Sequence, residues 1–94
     1  MVVGVLRLTL FIPENHSLKG KRQVLRAIKD RVRNKFNVSI AESNDHDLWQ
    51  RALISAVTVS GDHTRAEQTL QLVEREASAL LGGALVGTTV EWIE

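Results

Sequence analysis

Apolar strand patterns alternate with amphipathic helix patterns along this chain, and their order is the feature that most constrains its fold. The strand patterns occupy residues 2–12, 37–42, 52–60 and 84–93. The helix patterns occupy residues 17–36 and 64–81, where apolar residues recur every three or four positions. The order β-α-β-β-α-β predicts an α+β sandwich of the ferredoxin-like type, in which a four-stranded antiparallel sheet carries both helices on one face.

Length and composition limit the classes of protein to which this chain can belong. Its 94 residues predict a single domain spanning residues 1–94, and its hydrophobic content of 44% argues against disorder. The chain has no cysteine, which excludes disulfides and thiol catalysis. The apolar N-terminal run is interrupted by Arg7 and is shorter than the ~20 residues of a membrane-spanning helix. We therefore expect a soluble, cytoplasmic protein.

The first predicted helix holds eight of the twelve basic residues of the chain and one acid, Asp30. Residues 1–36 contain nine bases and two acids, a balance of +7, whereas residues 37–94 contain three bases and nine acids, a balance of −6. With roughly 100° between successive residues, five bases form a basic ridge about a quarter-turn from the apolar stripe. They are Lys19, Arg22, Arg26, Lys29 and Arg33, and Lys21 extends the ridge at the helix start.

The basic ridge predicts a polyanionic partner, and we expect RNA or a ribosomal subunit. Bases four residues apart on a helix repel each other, as Arg22 and Arg26 do, and the phosphates of a nucleic acid would supply the missing negative charge. The alternative is a solvated helix face whose bases pair with acids elsewhere in the chain. In either case we expect a protein that is not an enzyme; a further alternative is a small-anion-binding protein or an enzyme that uses the loops before the two helices.

The loops before the two helices are candidates for anion binding. We expect the first and third strands to be parallel neighbours, so that both helices begin at the same edge of the sheet and loops 13–17 and 60–64 meet. The unpaired N–H groups of two helix N-termini would then face one region. The candidate anion-binding residues there are His16, Ser17, His63 and Thr64. In the alternative, the serine and the threonine only cap their helices and both histidines are surface residues.

Other groups of residues give weaker indications of chemistry. An acidic segment after the second strand has side chains suited to a divalent cation, but it lacks the calcium-loop pattern, and an acidic hairpin loop is the better interpretation. Its residues are Glu42, Asp45, His46 and Asp47. We expect Glu42 to be partly buried and paired with Arg51. Because the sequence shows no nucleophile–base pair and no phosphate-binding loop, we predict no catalytic residues, no metal and no cofactor.

The outer face of the sheet, opposite the helices, is a second candidate interaction surface. Val3, Val5 and Phe11 give this face an apolar character, to which we expect Trp92 to contribute. This pattern predicts a homodimer, or another complex, formed through the outer face. RNA-recognition domains of this topology stack bases on sheet aromatics, but here the candidates are only Phe11 and Trp92, and the signature motif is missing. We therefore expect RNA on the basic ridge and not on the sheet.

Three stretches of the chain resemble a known family. They are residues 16–22 (HSLKGKR), 36–42 (FNVSIAE) and 45–52 (DHDLWQRA). Together they resemble the YlxP-like family, small bacterial proteins classified as a domain of unknown function, although Gly20 replaces a charged or helix-favouring residue. The resemblance implies a ferredoxin-like fold and brings no established activity or cofactor. Because genes of the family often neighbour translation and ribosome-maturation genes, it also implies a role near the ribosome.

Overall fold

The computed structural model describes residues 1–12, 18–43 and 50–93, and it describes Leu18 by its backbone only. Within these residues the chain forms β1 (Val2–Phe11), α1 (Leu18–Lys35), β2 (Ser39–Glu42), β3 (Arg51–Ser60), α2 (His63–Leu81), a turn of 3-10 helix (Gly82–Ala84) and β4 (Leu85–Ile93). The predicted order β-α-β-β-α-β is confirmed. Neither α-helix of the described ranges is long and apolar enough to cross a membrane.

The strands form one antiparallel sheet in the order β2-β3-β1-β4. β1 pairs with β3 from Val2 opposite Ser60 to Phe11 opposite Arg51, and the two strands run antiparallel. The expected parallel pairing of β1 with β3 is therefore wrong. The reason is that α1 carries the chain to β2, which runs parallel to β1, and the chain then reverses into β3, which lies between them.

The core lies between the helices and one face of the sheet. On β1, the even-numbered residues Leu6, Leu8 and Leu10 are fully buried, so the odd-numbered residues point to the outer face. The core leucines pack with residues of the neighbouring strands and of both helices, namely Ile40, Ile54, Ala56, Leu25, Ile28, Val32, Leu70, Val73, Ala77 and Leu81. Leu25, Ile28 and Val32 of α1 are buried, and their burial confirms the predicted apolar stripe of this helix.

Trp92 lies on the helix-covered face of the sheet, opposite Gly4, and not on the outer face as predicted. A methyl group on Gly4 would lie 2.6 Å from Cζ3 of Trp92 and 2.8 Å from Cδ1 of Leu70, closer than packed carbon atoms approach. The indole therefore occupies the space that Gly4 leaves, and its ring centroid lies 4.3 Å from that of His63. A glycine inside a strand pattern often marks such a close approach, so the sequence carried a signal for it.

The helix α2 begins earlier than the capping pattern predicts. Asp62, and not Thr64, is the N-cap residue, and its Oδ1 accepts a hydrogen bond from the backbone N–H of Thr64 at 2.9 Å. Aspartate is an effective N-cap, so the helix can start three residues after β3 ends. At the other end, Gly82 has a φ of 54°, a conformation that favours glycine, and its N–H donates to the carbonyl of Ser78. The predicted stop of α2 is confirmed.

Candidate nucleic-acid interface

The basic ridge runs along the side of α1 that faces the edge strand β2. Lys29 and Arg33 contact residues of β2 directly, so the ridge faces this strand. The apolar stripe of the helix packs into the core. Helical spacing places Lys19, Arg22 and Arg26 on the same side of α1 as Lys29 and Arg33. The structure thus brings the ridge residues together on one surface, but their surroundings differ along the helix.

The second half of the ridge is neutralised by other groups of the chain. Nζ of Lys29 lies 3.1 Å from Oε1 of Glu42, and the two side chains are only 23% and 26% exposed. The guanidinium of Arg33 donates to the carbonyl oxygen of Ile40 at 3.2 Å and lies 3.6 Å from Oδ1 of Asp30. These two predicted phosphate contacts therefore already have partners, as the solvated-face alternative expects.

Two further bases of α1 converge on Glu76 of α2. Nζ of Lys35 donates to Oε1 of Glu76, and Nη1 of Arg31 lies 3.9 Å from Oε2. The hydrogen bond from Lys35 lowers the pKa of Glu76 below its ordinary value of 4.5, and the charges of Lys35 and Arg31 add to this effect while burial opposes it. Glu76 therefore joins the two helices and neutralises positive charge that a polyanion would otherwise meet.

The first half of the ridge has different surroundings. Lys19, Arg22 and Arg26 are exposed, and among the residues that the structure describes their side chains have no ion-pair or hydrogen-bond partner. Arg22 and Arg26 lie about one turn apart, so their like charges repel. Nζ of Lys21 donates to the carbonyl of Arg51 at 3.2 Å, which places the start of β3 beside this half of the helix.

Arg51 does not pair with Glu42, contrary to the prediction. Glu42 is partly buried as expected, but its partner is Lys29. Glu42 lies opposite the buried Ile54 and so belongs to the helix-covered face, whereas Arg51 lies opposite Phe11 on the outer face. The two side chains therefore project from opposite faces of the sheet.

In the described residues the two helix starts lie at opposite ends of β1, so they do not share one region as predicted. Because β1 and β3 are antiparallel, α2 begins near the residue where β1 starts, whereas α1 follows the residue where β1 ends. The length of β1 separates the two helix starts by roughly 30 Å. His63 packs against Trp92 and Thr64 lies in the first turn of α2. The other two candidates, His16 and Ser17, lie outside the described residues.

The acidic group that starts at the last residue of β2 is described only at Glu42, whose carboxylate is held by Lys29. Its other members, Asp45, His46 and Asp47, lie outside the described residues. The sequence-based expectation of no catalytic residue, no metal and no cofactor therefore stays a prediction.

The outer face carries a band of exposed apolar side chains. The large ones that are at least a third exposed are Phe11, Leu53, Val59 and Ile93. Val3 is half-buried and Val5 is only 8% exposed. Nη1 of Arg7 lies 2.8 Å from Oε1 of Glu91 within this face, so the two charges balance.

The sequence analysis did not identify the acids that pair with the bases in the second half of α1, and the reason is physical. The Asp30–Arg33 pair could be found from its spacing, since residues three apart share a helix face. Glu42 is 13 residues from Lys29, and Glu76 is 41 residues from Lys35. These pairs depend on how α1 packs against β2 and α2, and no local pattern signals them.

The sheet topology and the position of both helices on one face define a small α+β protein of ferredoxin-like fold. Residues 3–90 match the family model described as "Protein of unknown function (DUF503)". The chain belongs to this family, and the predicted YlxP-like membership is confirmed. It is 42% identical over 72 residues, 77% of this chain and 78% of the relative, to "Uncharacterized protein YlxP" of Bacillus subtilis (strain 168).

Solved structures with the same fold share little sequence with this chain. Rv0793 from Mycobacterium tuberculosis superposes with a TM-score of 0.62 at 15% identity, over 100% of this chain and 94% of that one. SnoaB, a cofactor-independent oxygenase from Streptomyces nogalater, superposes with a TM-score of 0.53 at 17% identity, over 99% and 90% of the two chains. At these identities the similarity shows the fold alone.

Proposed function

We propose that this protein is a non-enzymatic, cytoplasmic protein that associates with RNA or the ribosome and contacts phosphates through the first half of the basic ridge. The observation that carries the proposal is the difference in pairing along α1. Lys19, Arg22 and Arg26 are exposed and have no partner among the described residues, in a helix whose later bases are held by acids.

The spacing of the three bases suits a phosphate backbone. They follow each other by three and four residues, so they rise about 4.5–6 Å apart along the helix axis. Each base can therefore meet a different phosphate of one strand, and the repulsion between Arg22 and Arg26 is relieved when phosphates lie beside them. Lys21 lies next to this surface and adds to its positive field.

Lys29 and Arg33 are not among the proposed contacts. A phosphate that approached Lys29 would compete with Glu42, which lies 3.1 Å from it, and would meet the repulsion of that carboxylate. Arg33 already donates to the carbonyl of Ile40. The proposed interface is therefore smaller than the ridge expected from the sequence.

The test measures binding to labelled RNA and to ribosomal subunits over a salt series. For three phosphate contacts, log affinity should fall with log salt with a slope of about 2–3. Replacing Arg22 and Arg26 with glutamine should lower that slope by about 1.4–1.8 and weaken binding roughly 30-fold at ~0.1 M salt, because two phosphate contacts are lost. Circular dichroism checks that the variant folds.

The matched control is the double variant Arg65→Gln, Arg75→Gln. Both arginines are exposed on α2 and their guanidinium groups have no partner in the described part of the chain, so the control removes the same charge from another surface. Its RNA affinity should stay within about twofold of wild type. Equal losses in both double variants would assign binding to net charge alone, and no binding at low salt would exclude RNA as the partner.

A homodimeric interaction protein that docks through its outer face is the second candidate. The observation that favours it is the exposed apolar band, at whose centre the charges of Arg7 and Glu91 pair with each other. Three strands of about ten residues and one of four present roughly 500 Å² per copy, so a dimer would bury about 1,000 Å², the least that a specific interface needs.

Sedimentation equilibrium tests this second candidate. Val59 is 51% exposed on the outer face, so a dimer formed through this face predicts that Val59→Lys shifts the equilibrium toward monomer and leaves the fold intact. Leu72→Lys is the matched control, because Leu72 is 45% exposed on α2, away from the outer face. A wild-type protein that stays monomeric at millimolar concentration would exclude the outer-face dimer.

A further inference from the structure

The sheet has two edge strands, and they differ in how their outer edges are protected. β2 is four residues long, and Arg33 from α1 donates to the carbonyl of Ile40 on it. β4 is nine residues long and contains no lysine, arginine or proline. Its one charged residue, Glu91, is held by Arg7 of the same chain. A long edge without such protection is a template for pairing with another strand.

The hydrogen-bond pattern identifies the backbone groups that this edge offers. The N–H of Ile12 donates to the carbonyl of Gln50 at 2.7 Å, so even-numbered residues of β1 direct their backbone groups toward β3 and odd-numbered residues toward β4. Odd-numbered residues of β4 lie opposite the odd-numbered residues of β1 and bond to them. The groups that point to the open edge therefore belong to Thr88, Val90 and Trp92.

We propose that β4 of a second copy of this chain adds to this edge, antiparallel and about a two-fold axis at Val90. The two sheets would then form one continuous sheet of eight strands. In this register Val90 lies opposite the same residue of the other copy, and Thr88 lies opposite Trp92. All the open N–H and C=O groups of these three residues are used, in about six backbone hydrogen bonds.

The side chains favour this register over its neighbours. Val90, which is 44% exposed, packs against its own copy, and Ile93, which is 52% exposed, lies opposite Gly87. Glu91 lies opposite Thr89, so no like charges meet. Moving the axis to residue 91 would set two copies of Glu91 against each other, a destabilising arrangement. Moving it to residue 89 would set Trp92 against Val86, where the pairing with β1 is irregular.

The proposal is independent of RNA binding. The basic ridge follows β2, at the opposite edge of the sheet from β4. A dimer formed through β4 would therefore leave both copies of the ridge exposed.

Amide hydrogen exchange of the wild-type protein tests the proposal without any substitution. The amides of Thr88, Val90 and Trp92 should exchange quickly in dilute solution and become protected at millimolar concentration, in step with the dimer fraction measured by sedimentation. The amides of Thr89 and Glu91 should be protected at both concentrations, because they bond to β1. A dimer that leaves the first three amides unprotected, or a protein that remains monomeric at millimolar concentration, would overturn the proposal.

Two matched substitutions separate the edge from the outer face. Val90→Lys places two like charges across the proposed axis and should weaken dimerisation tenfold or more, about 1.4 kcal/mol. Val59→Lys makes the same change at a valine of similar exposure on the outer face and should leave the edge dimer intact. The reverse result, in which only Val59→Lys disrupts the dimer, would contradict the edge pairing and favour docking through the outer face.

Discussion

The two halves of α1 carry the same kind of side chain and differ in what surrounds it. In the second half, the four bases Lys29, Arg31, Arg33 and Lys35 each lie within 4 Å of an acid from β2, α2 or the helix itself. In the first half, Lys19, Arg22 and Arg26 have no such neighbour among the described residues. The charge counted along the sequence therefore overstates the charge that a partner can reach.

The difference also separates two roles for basic residues. Bases of the second half join α1 to β2 and to α2, so their effect should be seen in stability. Lys19, Arg22 and Arg26 of the first half make no such connection within the described residues, so their effect should be seen in binding. Substitutions in each half of α1 test this division.

The largest effect concerns RNA affinity. Arg31→Gln with Lys35→Gln removes as many charges from α1 as Arg22→Gln with Arg26→Gln, but from side chains that Glu76 already neutralises. We expect the first pair to change RNA affinity by less than about twofold and the second by roughly 30-fold at ~0.1 M salt. Fluorescence anisotropy at fixed salt measures both. Similar losses in the two variants would remove the functional distinction between the halves.

The next effect concerns stability at the contact between α1 and β2. Lys29→Met leaves the partly buried carboxylate of Glu42 without its partner and should lower the free energy of unfolding by about 1 kcal/mol. Lys19→Met, in the first half, should change it by less than about 0.5 kcal/mol.

Urea denaturation of a double-mutant cycle checks this contact. Adding Glu42→Gln to Lys29→Met should restore part of the loss, because the carboxylate that lacked a partner is no longer charged. If the effects of the two substitutions simply add, the Lys29–Glu42 pair does not contribute to stability and the second half is no different from the first.

A smaller effect follows from repulsion between neighbouring bases. Arg22→Glu replaces the repulsion between Arg22 and Arg26 by attraction and should raise the free energy of unfolding by about 0.3–0.5 kcal/mol. Arg33→Glu should have the opposite sign, because it removes the hydrogen bond to the Ile40 carbonyl and places a carboxylate near Asp30. Thermal unfolding at low ionic strength measures both. If both substitutions change the free energy of unfolding in the same direction, the difference between the two halves of α1 is contradicted.

The sequence was sufficient for features that depend on local patterns. The order of elements, the apolar stripe of α1 and the stop of α2 at Gly82 each follow from residues close in the chain, and the structure confirms them. The place of Trp92 depends on the space that Gly4 leaves, and that glycine was a usable signal. The relative direction of β1 and β3 could also have been worked out, because the hairpin between β2 and β3 reverses the chain.

The candidate site was less predictable than the fold. Helical spacing placed Lys19, Arg22, Arg26, Lys29 and Arg33 on one side of α1, but it could not show which of them are paired. Those pairs depend on contacts between elements far apart in sequence, as at Glu76, and on which face of the sheet a strand residue occupies, as at Glu42.

The smallest effect is the dependence of stability on pH at Glu76. Its pKa in the folded protein is lowered, chiefly by the hydrogen bond from Lys35, so its contribution to stability is present at neutral pH. That contribution is lost as the pH falls below the ordinary value of 4.5 and through the folded-state pKa. Wild type should therefore be more stable than Glu76→Gln at neutral pH, and the difference should shrink on acidification. Urea midpoints over a pH series measure this, with Glu67→Gln, an exposed glutamate of α2, as the control that should follow wild type. A difference between wild type and Glu76→Gln that does not change with pH would mean that the second half of α1 is held to α2 by packing and not by this charge.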